Sequence, residues 1–470
     1  MSEFLNYVYV AVGVVLSFGA AVFVHEYGHY WMARRRGLKV EAFAIGFGPK
    51  AYGWVRDGIE YSVRWIPAGG FVKLPQMITS EALEGTQNPE DETLPPVSPW
   101  SKMLVAFAGP FMNVVFAFVI ATVIYFVGLP RLVNPSIIGY VEPDSEEAKL
   151  GIREGDRIVE VNGKPADSWH EVQMATVLAL TKVVPVVIER DGARTTYQLS
   201  AKESPTFGWK ILNLDPRDHP EIMRVLPKLP GEAAGLKVKD AILSFGGVPV
   251  ASREKLIELI RSRPNQATEI VVQRGTEKLS LTVTPAVDPT TKKGFLGVEL
   301  GFNSKNVYAV QKPGPTPLDQ VMDVWDKTVA TLSALVHTKQ TGVGMKDLSG
   351  PIGIFQILAG YFNTDYRLAL SFLVLLNINL AIINLLPVPV LDGGHILMAV
   401  IERIRRRPLS VKFMEYTTTA FAVLLISFLL YISFHDIKRF SLIKSWQGGS
   451  VVEEPGAKTQ PAPAPAPTKP

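Results

Sequence analysis

The chain has 470 residues, 47% of them hydrophobic, and a formal net charge of only +4. That balance excludes a general basic surface for nucleic acid, because the local arginine clusters adjoin apolar runs. With no cysteine at all, disulfides are excluded and any metal must be held by His, Asp or Glu.

The N-terminus, MSEFLNYVYV, lacks the positive region and small-residue cleavage site of a signal peptide, so the first apolar segment is expected to remain as a membrane helix. A spanning helix needs roughly 20 apolar residues, and four segments qualify: 6–33, 103–129, 368–391 and 412–434. The first carries VHEYGHYWMARRRG (24–37) at its end. His25 and His29, four apart, stand one turn above each other on one helix face. Neutral imidazoles so placed can share one Zn²⁺ at about 2.0–2.1 Å. Glu26 lies beside His25, where a carboxylate can take the proton of water that zinc has acidified. This is the H-E-x-x-H pattern of zinc proteases, in a helix where titratable groups are costly and tend to be functional.

Downstream, IEYSVRWIPAGGFVKLP (59–75) reads as two short strands around Pro67 and Gly69–Gly70. Residues 81–100 are acidic and proline-rich, as in a loop. In AGPFMN (108–113), Gly109 and Pro110 are expected to begin the second membrane helix, with Asn113 near the site.

The segment 130–367 contains a repeat. EAKLGIREGDRIVEVNGKP (147–165) aligns with EAAGLKVKDAILSFGGVP (232–249), pairing Gly151 with Gly235, Asp156 with Asp240, Gly163 with Gly247 and Pro165 with Pro249. Each copy runs strand, Asp, apolar strand, glycine turn, helix, strand. The second copy has Lys239 in place of a glycine and Gly246 where the first has Asn162. At this length each copy can be its own domain. Residues 316–340 have apolar positions at helical spacing, as in an amphipathic helix on the outer membrane surface.

The third span carries Asn379 and Asn384, with Pro387 and Pro389 just beyond. Two prolines remove two backbone donors and break the helix. Such residues are tolerated at membrane depth only against protein or water, and side-chain amides can donate to and accept from an extended backbone. Catalytic zinc takes a third protein ligand and keeps a fourth position open. Asp392 in NLLPVPVLDGGH (384–395) is the favoured third ligand and His395 the alternative, while His170 and His219 are expected at the surface. Arg34, Arg35, Arg36 and Lys39, Lys102, and ERIRRRP (402–408) fall on one side if the chain crosses four times. That side is expected to be the cytoplasm. The tail, PAPAPAPTKP, reads as disordered.

HEYGH, AGPFMN, the tandem repeat, SGPIGI (349–354) and NLLPVPVLDGG occur in one order. The chain resembles the site-2 protease family of intramembrane zinc metalloproteases, peptidase family M50, in particular the bacterial type with two periplasmic PDZ domains. The resemblance implies a polytopic α-helical membrane protein with four transmembrane helices, a small membrane-associated β-hairpin or sheet and two extracytoplasmic PDZ domains.

The domain boundaries it implies are 1–129 for the first half of the protease core and 130–215 and 216–300 for the PDZ domains. They continue with 301–367 for a linker with the amphipathic helix, 368–445 for the second half of the core and 446–470 for the tail. The implied roles are His25, His29 and Asp392 as ligands of one Zn²⁺ per chain and Glu26 as catalytic base. Substrate handling falls at Asn379, Asn384, Pro387 and Pro389 and at the hairpin residues Gly69, Gly70, Phe71 and Val72. Ile138, Gly139, Tyr140 and Val141 become peptide-contact positions of the first PDZ domain.

Expected partners are the lipid bilayer, single-pass membrane proteins trimmed by an upstream protease, such as anti-sigma factors, signal-peptide remnants, and peptide termini at the PDZ domains. The expected location is the bacterial inner membrane, with the PDZ domains and both termini outside and the active site toward the cytoplasm. Two other classes compete. A membrane-anchored PDZ scaffold with a vestigial metal site is opposed by the presence of all three ligand types together with Glu26. A metal transporter is opposed by how few polar residues line the second and fourth spans.

Overall fold

The computed structural model describes residues 3–77, 95, 97–132, 135–203, 209–217, 219–288, 292–302, 306–407, 409–446 and 450–453. Most of the acidic loop expected at 81–100 and of the tail lies outside them. The chain forms two compact units.

The first unit comprises residues 1–130, 310–329 and 348–439. It contains helices α1 (Glu3–Arg35), α2 (Pro99–Val127), the first part of α3 (Pro317–Val336), α4 (Pro351–Thr364), α5 (Tyr366–Asn384), α6 (Asp392–Arg405) and most of α7 (Val411–Trp446). Among the described residues, four stretches are long and apolar enough to span a membrane: Phe4–Arg35, Pro99–Val127, Tyr366–Asn384 and Lys412–Ile437. α2 begins earlier than the sequence suggests. Ser98 accepts from Ser101 N at 3.2 Å and Pro99 takes the first turn, so Gly109 and Pro110 lie inside the helix rather than at its start.

The third span ends at Asn384 rather than 391. Pro387 and Pro389 cannot continue a helix, and residues 385–391 fold tightly over the start of α6. A Cβ on Gly393 would stand 2.3 Å from the Leu385 and Leu386 carbonyl oxygens, and one on Gly394 2.2 Å from that of Val388.

The hairpin is larger than expected. Strands β1 (Ala42–Arg56) and β2 (Ile59–Lys73) flank Asp57–Gly58, both at positive φ (50° and 75°), which suits a two-residue turn of the primed type. The segment 59–73 is therefore one bent strand. Its first half pairs with β1, and Gly70–Lys73 returns along the other side of Ala42–Ile45. Val72, Phe43 and Ile59 pack with Ala33 and Val105, which docks the sheet on α1 and α2.

α4 was not expected. Its N-cap, Gly350, has no side chain, and Asp436 of α7 substitutes. The buried Asp436 carboxylate accepts from Gly350 N (3.2 Å) and Gly353 N (2.8 Å), two of the amides left free at the helix start. A Cβ on either glycine would approach an Asp436 oxygen to 2.9 Å, which accounts for the glycines of SGPIGI. α4 packs on α1 through stacked Phe18 and Phe355, 4.4 Å apart.

The second unit comprises residues 131–309, 330–347 and 440–470. Both sequence repeats lie in it, and they match atom for atom at their centres. In the first, Arg190 donates to both Asp156 oxygens (2.6 Å each) and to Gly151 O (2.7 Å). In the second, Arg274 donates to both Asp240 oxygens and to Gly235 O, at 2.8 Å each. Each repeat helix, Trp169–Val177 or Arg253–Arg261, is capped by a serine, Ser168 or Ser252. The cores correspond too: Ile158, Val161 and Val172 fill the first, Ile242, Phe245 and Leu256 the second. Both departures noted in the second copy sit at positive φ: Lys239 at 72° opposite Gly155 at 94°, and Gly246 at 58° opposite Asn162 at 53°.

Candidate metal centre

Three residues from two distant parts of the chain converge in the first unit. His25 and His29 project from one face of α1, and their Nε2 atoms are 3.2 Å apart. Asp392, first residue of α6, faces both, with Oδ2 3.3 Å from His25 Nε2 and Oδ1 3.4 Å from His29 Nε2. They form the one group of three metal-ligating side chains found among the described residues. Two ligands held tetrahedrally at about 2.0–2.1 Å from one ion lie about 3.3–3.4 Å apart, the spacing seen here. Asp392 Oδ2 is buried and receives no hydrogen bond. An ionised oxygen so placed is costly unless a cation meets it, so the donor set fits a zinc ion.

α2 supplies the walls. His29 Nδ1 is 2.8 Å from Val105 O, and His25 Nδ1 is 3.2 Å from the amide of Asn113. Gly109 lies between them, and a Cβ there would fall 2.2 Å from His29 Nε2. Gly28 of α1 approaches α2 as closely, since its Cβ would be 2.4 Å from Ala108 O. Small residues at these contacts let the two helices bring the imidazoles against α2. AGPFMN thus builds the back of the site, a role that depends on helix pairing and that the sequence signals only through its small residues.

Glu26 lies on the neighbouring face of α1, with its stem against β2: a Cβ on Gly70 would be 3.0 Å from Glu26 Cγ. Gly70–Lys73 forms the outer ladder there, and among the described residues no further strand pairs with it. Val72 turns its side chain into the core and Phe71 lies under the Arg64 guanidinium at 4.9 Å, so these two can offer a substrate mainly their backbone.

Asn384 places Nδ2 3.5 Å from His25 Nε2, at the cluster. Asn379 does not join it; the Thr328 hydroxyl of α3 donates to its Oδ1 at 2.7 Å. Pro387 and Pro389 lie in the non-helical link to Asp392. His395 is outside the cluster, lining a small cavity with Met77, Lys102 and Glu402.

In the second unit, Ile138 and Tyr140 are buried, and Ile138–Val141 is hydrogen-bonded to Leu214–Pro216. That pairing covers one side of the strand.

A sequence profile of peptidase family M50 matches residues 13–428. The chain belongs to peptidase family M50. With membrane-length apolar helices of its own, this M50 chain is a membrane zinc metalloprotease. The regulator of sigma-E protease RseP of Escherichia coli K12 is 29% identical over 457 residues, covering 93% of this chain and 100% of its own. Protease RseP of Yersinia pestis is 30% identical over 448 residues, covering 90% and 97%. A candidate zinc metalloprotease of Vibrio cholerae is 30% identical over 465 residues, covering 91% and 98%. A solved PDZ domain of an SdrC-like protein of Listeria monocytogenes matches 18% of this chain and 87% of its own. With 19% identity and a TM-score of 0.17, that likeness carries no argument.

Proposed function

We propose that His25, His29 and Asp392 hold one zinc ion per chain and that Glu26 is the base in hydrolysis of peptide bonds inside membrane-spanning segments. The observation that carries this reading is the meeting of two imidazoles and one hydrogen-bond-starved carboxylate among apolar helices. Bound zinc supplies a Lewis acid that acidifies water and polarises a peptide carbonyl.

The chain's own residues do the rest. Glu26 takes the proton from the attacking water and delivers it to the leaving amine. A helical substrate hides its amides, so it must unwind, and lipid offers its freed N–H and C=O groups no partners. The outer ladder Gly70–Lys73 beside Glu26 offers backbone groups for strand addition, and Gly69 and Gly70 let that strand lie close against Phe47 and the Glu26 stem. Asn384 donates to the substrate backbone next to the ligands. Pro387 and Pro389 hold residues 385–391 out of the helix so that Asp392 can turn inward.

The relatives named as regulators of sigma-E suggest the substrate class: single-pass membrane proteins such as anti-sigma factors, already shortened by another protease, and signal-peptide remnants. We read the two repeats as PDZ domains outside the inner membrane that exclude intact outer domains or bind peptide termini, with both chain termini outside and the zinc site toward the cytoplasm.

The test is Glu26→Gln. Zinc content should stay at about one per chain while cleavage of a truncated single-pass substrate falls by about 10²–10⁴-fold. Wild-type cleavage by that variant would remove Glu26 as the base.

A further inference from the structure

The orientation of one amide beside the cluster can be deduced from the ring it faces. Asn113 is fully buried on α2. As placed, its Nδ2 faces His25 Nδ1 at 3.2 Å, and its Oδ1 has no partner. The other imidazole shows what a ligand needs. His29 Nδ1 lies 2.8 Å from Val105 O, and a carbonyl only accepts, so this Nδ1 carries the hydrogen and, in the neutral ring that a metal ligand must be, Nε2 keeps its lone pair. Val105 and Asn113 stand on one face of α2, four residues either side of Gly109. The two thus meet the two rings in the same way, each at Nδ1.

An amide NH₂ facing His25 Nδ1 would require the lone pair there and place the hydrogen on Nε2. That nitrogen faces His29 Nε2 and Asp392, where a ligand atom must be bare. Amide oxygen and nitrogen have nearly the same shape, and the hydrogen-bond network decides between them. We infer that Asn113 is a positioning residue whose Oδ1 accepts from His25 Nδ1–H and so holds the first imidazole in its metal-binding tautomer, as the Val105 carbonyl holds the second. The group across a ligand imidazole fixes which nitrogen is free and raises its basicity. This inference rests on the reading of the cluster as a zinc centre.

The experiment compares zinc affinity, by chelator competition, in purified full-length wild type, Asn113→Asp and Asn113→Leu. Aspartate keeps the acceptor and loses the donor; leucine loses both. The expected result is affinity within a few-fold of wild type for Asn113→Asp and about 10–100-fold weaker for Asn113→Leu. Equal loss in both variants, or no loss in either, overturns the assignment. Nitrogen NMR of ring-labelled wild type, with the His25 signals identified by their loss in His25→Ala, reads the tautomer without relying on how a variant folds. Hydrogen on Nδ1 supports the inference and hydrogen on Nε2 refutes it. A wild type that binds no zinc would instead overturn the zinc reading beneath it.

Discussion

Asp156 and Asp240 are buried carboxylates and Asp392 is a largely buried one, yet their surroundings differ in kind. Asp156 accepts from Arg190 through both oxygens and from Arg153 N, and Asp240 from Arg274 and Lys237 N. Asp436 is satisfied in the same manner by two backbone amides. Asp392 has two imidazoles opposite it and an oxygen with no donor. A buried charge costs several kcal/mol unless paired and hydrogen-bonded. The satisfied carboxylates hold the fold together, while the unsatisfied one is the carboxylate we propose as a zinc ligand.

The sharpest way to break this contrast is Asp392→Asn. The amide keeps the shape and loses the charge, so zinc affinity should fall by at least about 100-fold and cleavage with it. The melting temperature of the zinc-free protein should hold or rise, because a sparsely hydrogen-bonded charge has been removed. Melting measured beside zinc content checks both halves; a fall in zinc-free melting with zinc retained would place Asp392 among the structural carboxylates.

Asp240→Asn should do the reverse. It leaves Arg274 without its buried partner and costs about 2–4 kcal/mol. The loss should appear as local unfolding of residues 220–302 in hydrogen exchange, with zinc content unchanged. Because the first repeat holds its own clasp through Asp156, its protection should survive; loss of both together would show that the repeats do not fold independently.

What was legible in the sequence follows from the range of the signal. The four-residue spacing of His25 and His29 is local, and a lone acidic residue after a broken apolar span stands out whatever it touches. The repeat was legible because Gly151 and Asp156 return in register as Gly235 and Asp240; Arg190 and Arg274, which complete each clasp, were not singled out. The hairpin turn is written in Asp57–Gly58, while Pro67 and Gly69–Gly70, the expected turn, lie within the second strand where it bends. Asn113 was expected near the site, but the ring it faces was not readable, and the contacts of Gly109 and Asp436 were hidden, since each meets a different helix and its spacing from its partner carries no period. Lys239 was legible as a departure, though not as a lysine held at φ 72° where glycine would be unstrained.

The smallest effect concerns Asp215, which adds a third kind of carboxylate to the comparison. Burial pushes its pKa up to about 7, with Glu254 and Glu142 adding to the rise and Arg253 opposing it. Asp156 moves the other way: burial opposes ionisation, but hydrogen bonds from Arg190 and the Arg153 amide hold its carboxyl below the usual range. The signs are opposite. Folding binds a proton at Asp215 between its unfolded value of about 4 and about 7, so its contribution to stability declines as pH rises through that window. Asp156 contributes fully above its unfolded value and loses that contribution as pH falls through its lower folded value. Asp215→Asn should therefore raise the stability of the second unit at pH 8 by about 1–2 kcal/mol, after allowing for solvent screening of a partly exposed group. It should leave stability near pH 4 almost unchanged. Melting curves of full-length protein from pH 4 to 8 test this, and a variant whose gain is the same at both ends would show that the Asp215 charge is not what the fold resists.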